Sequence, residues 1–406
     1  METSIIDKYR NTADGQEAEA ILRSCVHCGF CTATCPTYQL LGDERDGPRG
    51  RIYLVKQLLE GQPATARTLT HLDRCLSCRS CETTCPSGVN YARLADIGRT
   101  LMQQQVAYPP VEQLKRWLMR KIIPYPARFS ALLALAGLAK PLLPAASKRK
   151  LPQISTARPW VDSTHARRFL VLEGCVQKAV TPSVNAATAQ VLDRLGIRLE
   201  RTPGGVCCGA VSYHNGQREE GYDFMRRNID AWWSGLQQGV EGIIVSASGC
   251  GLMVKEYGEV LKHDPEYAEK AAFISAHTRD LSELIAGEDL ARLAIDPAGE
   301  KIAFHAPCTL QHGQKLPGVV EGILQRLGFV LTQIQDAHLC CGSAGSYSLL
   351  QPELSTRLRD NKIAHIEAGG PRIIATANIG CQMHLATGTG LRVVHWIELL
   401  ADRLGD

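Results

Sequence analysis

The chain is poor in aromatic residues, which fill 6% of its 406 positions. That is thin material for a nucleic-acid surface built on stacked rings. It has no apolar run long enough to cross a bilayer; the longest, ALLALAGLA at 131–139, is about half of a span. The opening residues, METSIIDKYRNTADGQEAEA, are polar and mixed in charge and lack the apolar stretch of a secretory signal. These absences predict a cytoplasmic protein. Also missing are a G-x-G-x-x-G after a strand, a P-loop, G-x-S-x-G and H-E-x-x-H. The twelve histidines are scattered; His305, His312, His338 and His384 lie near the last cysteines, but their spacing defines no general-base pair. No flavin or nicotinamide motif is present, so no catalytic residue and no substrate-oxidising site is expected on this chain.

What is present is cysteine, sixteen residues in two blocks. Eight lie between Cys25 and Cys85, none between 86 and 174, and eight between Cys175 and Cys381. In a reducing compartment such clusters are metal ligands more often than disulfides. Residues 25–36, CVHCGFCTATCP, and 75–86, CLSCRSCETTCP, share one pattern, C-x-x-C-x-x-C-x-x-x-C-P. Three thiolates two residues apart converge on three corners of a cubane, and the fourth cysteine ligates the neighbouring cluster. This assigns one [4Fe-4S] cluster to Cys25, Cys28, Cys31 and Cys85, and the second to Cys75, Cys78, Cys81 and Cys35. Zinc ribbons also use C-x-x-C pairs, but need neither the third cysteine nor the proline.

The two runs are fifty residues apart, and GPRGRIYLVKQLLEG at 47–61 reads as a helix between them. Pro48 suits its first position, Ile52, Val55, Leu58 and Leu59 form its apolar stripe, and Gly61 stops it. The module is therefore an α-helical ferredoxin domain. Arg45, Arg49 and Arg51 either face water or sit near the anionic clusters and tune them.

From 101 to 168 the chain carries eight prolines, and twelve Lys and Arg against Glu112 and Asp162, a local net charge of +10. The stretch VEQLKRWLMRKIIPYPARF sets Leu114, Trp117 and Leu118 at helical spacing beside Lys115, Arg116, Arg120 and Lys121, and the apolar 131–139 run and Lys148, Arg149 and Lys150 follow. Two readings stand: a helical hairpin docked on the next domain, or an interfacial segment meeting an anionic membrane or a membrane partner. No helix-turn-helix, zinc finger or aromatic platform accompanies the charge, so no nucleic-acid partner is expected.

The C-terminal half repeats itself. Cys175 and Cys308, Cys208 and Cys341, and Asn228 and Asn361 are each 133 residues apart. VCCGA at 206–210 matches LCCGS at 339–343, and EGIIVSASGCG matches PRIIATANIGCQ. Each repeat reads strand, helix, strand, loop, helix, strand, which implies a parallel sheet. Open parallel sheets gather ligand sites at the carboxyl ends of their strands. That predicts one site from Cys175, Cys207, Cys208 and Cys250, and a second from Cys308, Cys340, Cys341 and Cys381, holding a further iron–sulfur cluster or zinc. The predicted fold is mixed α/β, with a ferredoxin domain at 1–100, a basic connector at 101–167, and parallel-sheet domains at 168–297 and 298–406.

The paired-cysteine motifs resemble the cysteine-rich CCG domains of the heterodisulfide reductase type. Joined to CVHCGFCTATCPTYQLLGDERDGPRGRIYL and HLDRCLSCRSCETTCPSGV, they resemble the iron–sulfur subunits of the glycolate oxidase family over nearly the whole chain. The subunits of anaerobic glycerol-3-phosphate dehydrogenase share the architecture, as D-lactate dehydrogenase subunits and heterodisulfide-reductase-like proteins do in part. The resemblance implies an electron-transfer subunit of a glycolate dehydrogenase complex. It implies an FAD-containing glycolate-oxidising partner, a second flavoprotein-like subunit, and a membrane quinone or membrane partner, with the complex peripheral on the inner face of the cytoplasmic membrane. There is one departure. Full CCG domains end in C-x-x-C, whereas here the endings are Cys250-Gly-Leu-Met253 and Cys381-Gln-Met-His384. His384 is a candidate replacement ligand in the second repeat.

Overall fold

The computed structural model describes residues 1–142, 144, 152 and 154–405. Lys148, Arg149 and Lys150 lie outside the described residues. The chain forms two compact units, Met1–Trp117 with His338–Lys362, and Leu118–Ala337 with Ile363–Asp406.

The N-terminal part of the first unit is helical, with no strand among its described residues. Its main helices are Ala13–Ser24, Pro48–Leu59, Ala66–Asp73 and Tyr91–Gln105. Each starts where its sequence supplies a cap or a proline. Thr12, Thr65 and Asn90 accept hydrogen bonds from the backbone N–H groups of Gly15, Thr68 and Arg93, and Pro48 opens its helix at a position that needs no N–H. The stripe of Ile52, Val55, Leu58 and Leu59 is buried against Leu22, Leu72, Leu94, Ile97 and Met102. Each such side chain contributes roughly 1.5–3 kcal/mol of apolar burial. Gly98 lets the helices cross closely, since a Cβ there would stand 2.5 Å from Val55.

The second unit holds two four-stranded sheets. In the first, β1 (Arg167–Val171), β2 (Ile197–Arg201), β3 (Gly242–Val245) and β4 (Thr278–Asp280) lie in the order β2-β1-β3-β4. In the second, β5 (Lys301–His305), β6 (Val330–Leu331), β7 (Ile373–Thr376) and β8 (Arg392–His395) repeat that order as β6-β5-β7-β8. Every pairing is parallel. The repeat pattern predicts three strands per repeat, and the structure adds a fourth to each. The added strands, Thr-Arg-Asp and Arg-Val-Val-His, are too short to show a period. The two sheets share one core, in which Phe169, Val171 and Ile244 pack with Ile302, Phe304, Ala375 and Val394. Polar contacts join the sheets as well: Ser183 Oγ donates to Glu398 at 2.6 Å, and the backbone N–H of Ser248 donates to Ala377 O at 3.0 Å.

Of the connector, Tyr91–Gln105 runs into helices Pro110–Ile122 and Pro126–Ala139, the last two bent by 113°. No single helix among the described residues is long and apolar enough to cross a membrane. In the second unit, Phe129 and Leu133 pack on Ala179, Val180, Ala247 and Ile379, while Arg120 and Lys121 both bind Glu220 at 2.6 Å. The docking reading therefore describes one face of the helix Pro126–Ala139. Leu132, Leu135 and Leu138, on its other side, are exposed.

Candidate iron–sulfur and CCG sites

The two ferredoxin loops fold alike because their intervening residues take the same unusual conformation. His27 and Gly29 in the first, and Ser77 and Arg79 in the second, all have positive φ, from 51° to 87°. One left-handed residue falls in each gap between the first three cysteines of a run and coils the loop there. Glycine at 29 also makes room, since a Cβ there would meet Arg49 Nη1 at 2.9 Å.

The thiols gather in two crossed sets. Burial pushes Cys31 up to about 11, helped by the neighbouring Cys25, Cys28 and Cys85. Burial likewise raises Cys81 well above its ordinary value, and Cys78, Cys75 and Cys35 add to it. Mutual repulsion of this kind is what a bound cation relieves, because metal ligation needs deprotonated thiols. None of the sixteen cysteines forms a disulfide. The donor set therefore suits an iron–sulfur cluster in each group.

The surroundings of the two sets differ. Cys28 is exposed, next to the exposed Val26 and Phe30. Arg49 near it pairs with Glu44 at 2.6 Å, as Arg45 pairs with Asp43. Arg51, by contrast, is buried. It donates to His71 O at 2.7 Å and to Thr37 Oγ1 at 3.2 Å, and Thr37 Oγ1 lies 3.3 Å from Cys35 Sγ. Buried Arg99 donates to Cys75 O at 2.7 Å and to Ser77 Oγ at 2.8 Å, and the Tyr91 hydroxyl donates to Cys75 Sγ at 3.5 Å. Burial raises Cys75, but Arg51, Arg99 and the Tyr91 hydroxyl outweigh it and hold the thiol below its usual value. Of the three arginines singled out in the sequence, only Arg51 belongs to the buried set. Arg99 and Tyr91 gave no sequence signal, because their helix reads as ordinary amphipathic structure.

The first CCG site assembles at the carboxyl ends of β1 and β3. Cys175 opens a helix behind Gly174, and Cys250 lies in the first turn of the helix Ser248–Lys255. Between them Cys207 and Cys208 precede Gly209, whose φ is 89° and where a Cβ would meet Gly221 O at 2.9 Å. Cys207 is hydrogen-bonded to Cys175 and Cys208, and Cys208 to Cys250. Hydrogen bonds from Cys207 and Cys250 hold the Cys208 thiol well below its ordinary value, and its neighbours are pushed up. Two residues clamp the backbone of the pair. Asn228 donates to Cys207 O at 2.9 Å and accepts from Val206 N at 2.9 Å, while the Tyr257 hydroxyl donates to Cys208 O at 2.9 Å. The sequence marks Asn228 by its match to Asn361 in the repeat and assigns Tyr257 no role. Met253, where a full CCG domain has its last cysteine, is packed in the core with Trp232 and Tyr257.

In the second repeat, Cys308 follows β5, and Cys381 lies in the helix Ile379–Ala386, 3.7 Å from Asn378 Nδ2. Cys340 and Cys341 belong to the 338–362 segment of the first unit, where Gly342 has a φ of 88° and its carbonyl accepts from Ser355 Oγ at 2.8 Å. Asn361 is exposed, so the sequence match to Asn228 does not extend to its role. His384 is half-buried in the helix of Cys381, and its carbonyl accepts from Thr387 Oγ1 at 2.7 Å.

Comparison with known proteins matches the same regions. The 4Fe-4S dicluster domain family matches residues 21–89, and the cysteine-rich CCG domain family matches 169–255 and 302–386. The glycolate oxidase iron–sulfur subunit of Escherichia coli is 54% identical over 405 residues, covering 100% of this chain and 99% of that protein. A probable glycolate oxidase iron–sulfur subunit of Bacillus subtilis is 30% identical, covering 95% of each. Lactate utilization protein A of Bacillus licheniformis is 28% identical over 56% of this chain and 97% of its own length. A crystal structure of a hypothetical protein from Helicobacter pylori shares the fold, with a TM-score of 0.55 at 10% identity, over 98% of this chain and 74% of that one. With its two 4Fe-4S cysteine runs and paired CCG domains, the chain belongs to the family of glycolate oxidase iron–sulfur subunits.

Proposed function

We propose that this protein carries electrons within a multi-subunit enzyme that oxidises glycolate, a 2-hydroxy acid, to glyoxylate. A partner subunit holding FAD takes the two electrons of the substrate, and a membrane quinone receives them. The observation that carries this is the convergence of eight cysteine thiols into two crossed sets within one helical unit. Cys25, Cys28, Cys31 and Cys85 hold one [4Fe-4S] cluster, and Cys35, Cys75, Cys78 and Cys81 hold the other. Such clusters supply one-electron storage, which splits the two-electron chemistry of a flavin. The chain's own residues fix the thiols, bury Cys35 and Cys81 of the second set and leave Cys28 of the first exposed. Cys175, Cys207, Cys208 and Cys250 hold a further metal centre, an iron–sulfur cluster or zinc, and Cys308, Cys340, Cys341 and Cys381 are its counterparts in the second repeat.

The same proposal places the complex on the inner face of the cytoplasmic membrane. Support comes from the exposed Leu132, Leu135 and Leu138, and from a stretch between Glu112 and Asp162 that has no acidic residue. Leu135→Glu with Leu138→Glu is expected to release the chain from vesicles containing anionic lipid; unchanged flotation would count against membrane docking.

The test of function is co-purification with the flavoprotein partner. Glycolate should reduce a quinone analogue in the complex. A Cys81→Ser variant should stop that transfer while glycolate still bleaches the partner's flavin. Full transfer by the variant would refute the electron-carrying role.

A further inference from the structure

We propose that Arg51 and Arg99 make the cluster of Cys35, Cys75, Cys78 and Cys81 the higher in reduction potential of the two, so that electrons entering at the first set, whose Cys28 is exposed, collect on the second, beside the Cys340–Cys341 loop. This rests on the preceding reading that each set holds a [4Fe-4S] cluster.

A cluster ligated by four thiolates is anionic, and reduction adds one more negative charge. Nearby cations and hydrogen bonds to sulfur favour the reduced form and raise the potential. The second set has both. Arg51 and Arg99 are 1% and 7% exposed. Each is fixed by backbone carbonyls, His71 O for Arg51 and Cys75 O for Arg99, so neither guanidinium can swing away. Tyr91 Oη and Ser77 N both donate to Cys75 Sγ, at 3.5 and 3.4 Å. The nearby acid does not cancel Arg51. Asp46 divides its two oxygens among Arg74 at 2.9 Å, His71 at 3.0 Å and Arg51 at 3.6 Å. Arg99 is ion-paired with Asp96 only at the longer distance of 3.8 Å.

At the first set the neighbouring side-chain cation is Arg49, 35% exposed and already paired with Glu44 at 2.6 Å, and the amino group of Met1 donates to Cys25 O at 2.9 Å. A half-exposed, paired charge is strongly screened. Water around Cys28 also favours the reduced form, but mobile dipoles stabilise it less than full charges fixed in a low-dielectric interior.

The destination follows from packing inside the first unit. Tyr347, buried, lies close enough to Arg51, Cys75, Cys340 and Arg74 for all four to act on its hydroxyl. Arg357 of the same segment donates to Leu40 O at 3.3 Å. The second set therefore adjoins the 338–362 segment. In the step itself, one electron leaves the first cluster and one arrives at the second. No bond or proton moves, and the reductant is the partner's reduced flavin or, in the test, dithionite.

The test is an EPR-monitored redox titration of the purified full-length holoprotein. The wild type should show two one-electron steps from the two N-terminal clusters. Arg51→Gln and Arg99→Gln should each shift only the upper step downward by about tenfold in the reduction equilibrium, 59 mV for one electron. Should Arg51→Gln fail to fold, Arg99→Gln and the conservative Tyr91→Phe still decide; Tyr91→Phe should lower the same step by less. The proposal is overturned if these variants shift the lower step, or neither step, while iron and sulfide still correspond to two clusters. A wild-type chain devoid of iron and sulfide would overturn the cluster reading as well.

Discussion

The runs Cys25–Cys35 and Cys75–Cys85 have the same spacing and the same coiled backbone, yet they occupy different surroundings. Cys28 meets solvent beside Val26 and Phe30, whereas Cys75 has Tyr91 on its sulfur and buried arginines close by. Spacing determines which atoms can bind a cluster. Burial and the fixed charges brought by distant helices determine what that cluster does. The two CCG repeats teach the same lesson. Both place a cysteine pair before a left-handed glycine. Only the first clamps it with a buried asparagine, and the second turns to Ser355 instead.

The largest expected effect treats the two ferredoxin sets as equals. Cys31→Ser and Cys81→Ser should each remove about half of the iron held by the two runs, roughly four atoms per chain, measured by metal analysis. If either variant lost both clusters, or neither, the assignment of one cluster to each set would be wrong.

The next tests the seam between the sheets. His395 Nε2 donates to Ser246 O at 2.9 Å and Nδ1 accepts from Ile397 N at 3.3 Å, so the ring must be neutral. Burial pushes it down to about 4, against a weaker pull upward from Ser246. The folded value is below the unfolded 6.5, so its stability contribution is complete above pH 6.5 and is lost as the pH falls toward 4. The whole effect is about 3 kcal/mol. Urea unfolding of the wild type should show a lower midpoint at pH 5.5 than at 7.5. His395→Gln should flatten that contrast, and an equal slope in both proteins would count against it.

A smaller effect separates the CCG repeats. Asn228→Ala leaves the carbonyl of Cys207 and the N–H of Val206 without their partner, and should cost about 2 kcal/mol in urea unfolding. Asn361→Ala, at an exposed position, should cost less than about 0.5 kcal/mol. Similar costs would mean that the repeats are more alike than their packing. Smallest of all is Arg45→Gln, which removes a half-exposed pair with Asp43 and should change stability by no more than about 0.5 kcal/mol.

Much of this was legible in the sequence because it is local. The cysteine runs, Pro48 with its apolar stripe, and the 133-residue repeat all lie within short stretches whose spacing has few structural solutions. The parallel sheets followed from alternating strands and helices. What escaped was non-local. β4 and β8 are too short to show a period. Tyr257 reaches the cysteine pair from forty-nine residues away, and Arg99 reaches Cys75 from twenty-four, through tertiary packing alone. Arg51 stood one turn from Pro48 beside two similar arginines, and only burial distinguishes it from Arg49.

The central claim, that the eight N-terminal cysteines hold two clusters, is tested most directly by iron and acid-labile sulfide analysis with EPR on the purified chain. The prediction is at least about eight iron and eight sulfide per chain, with two signals that appear on reduction. Zinc in place of iron, or iron without sulfide and without a reducible signal, would contradict it.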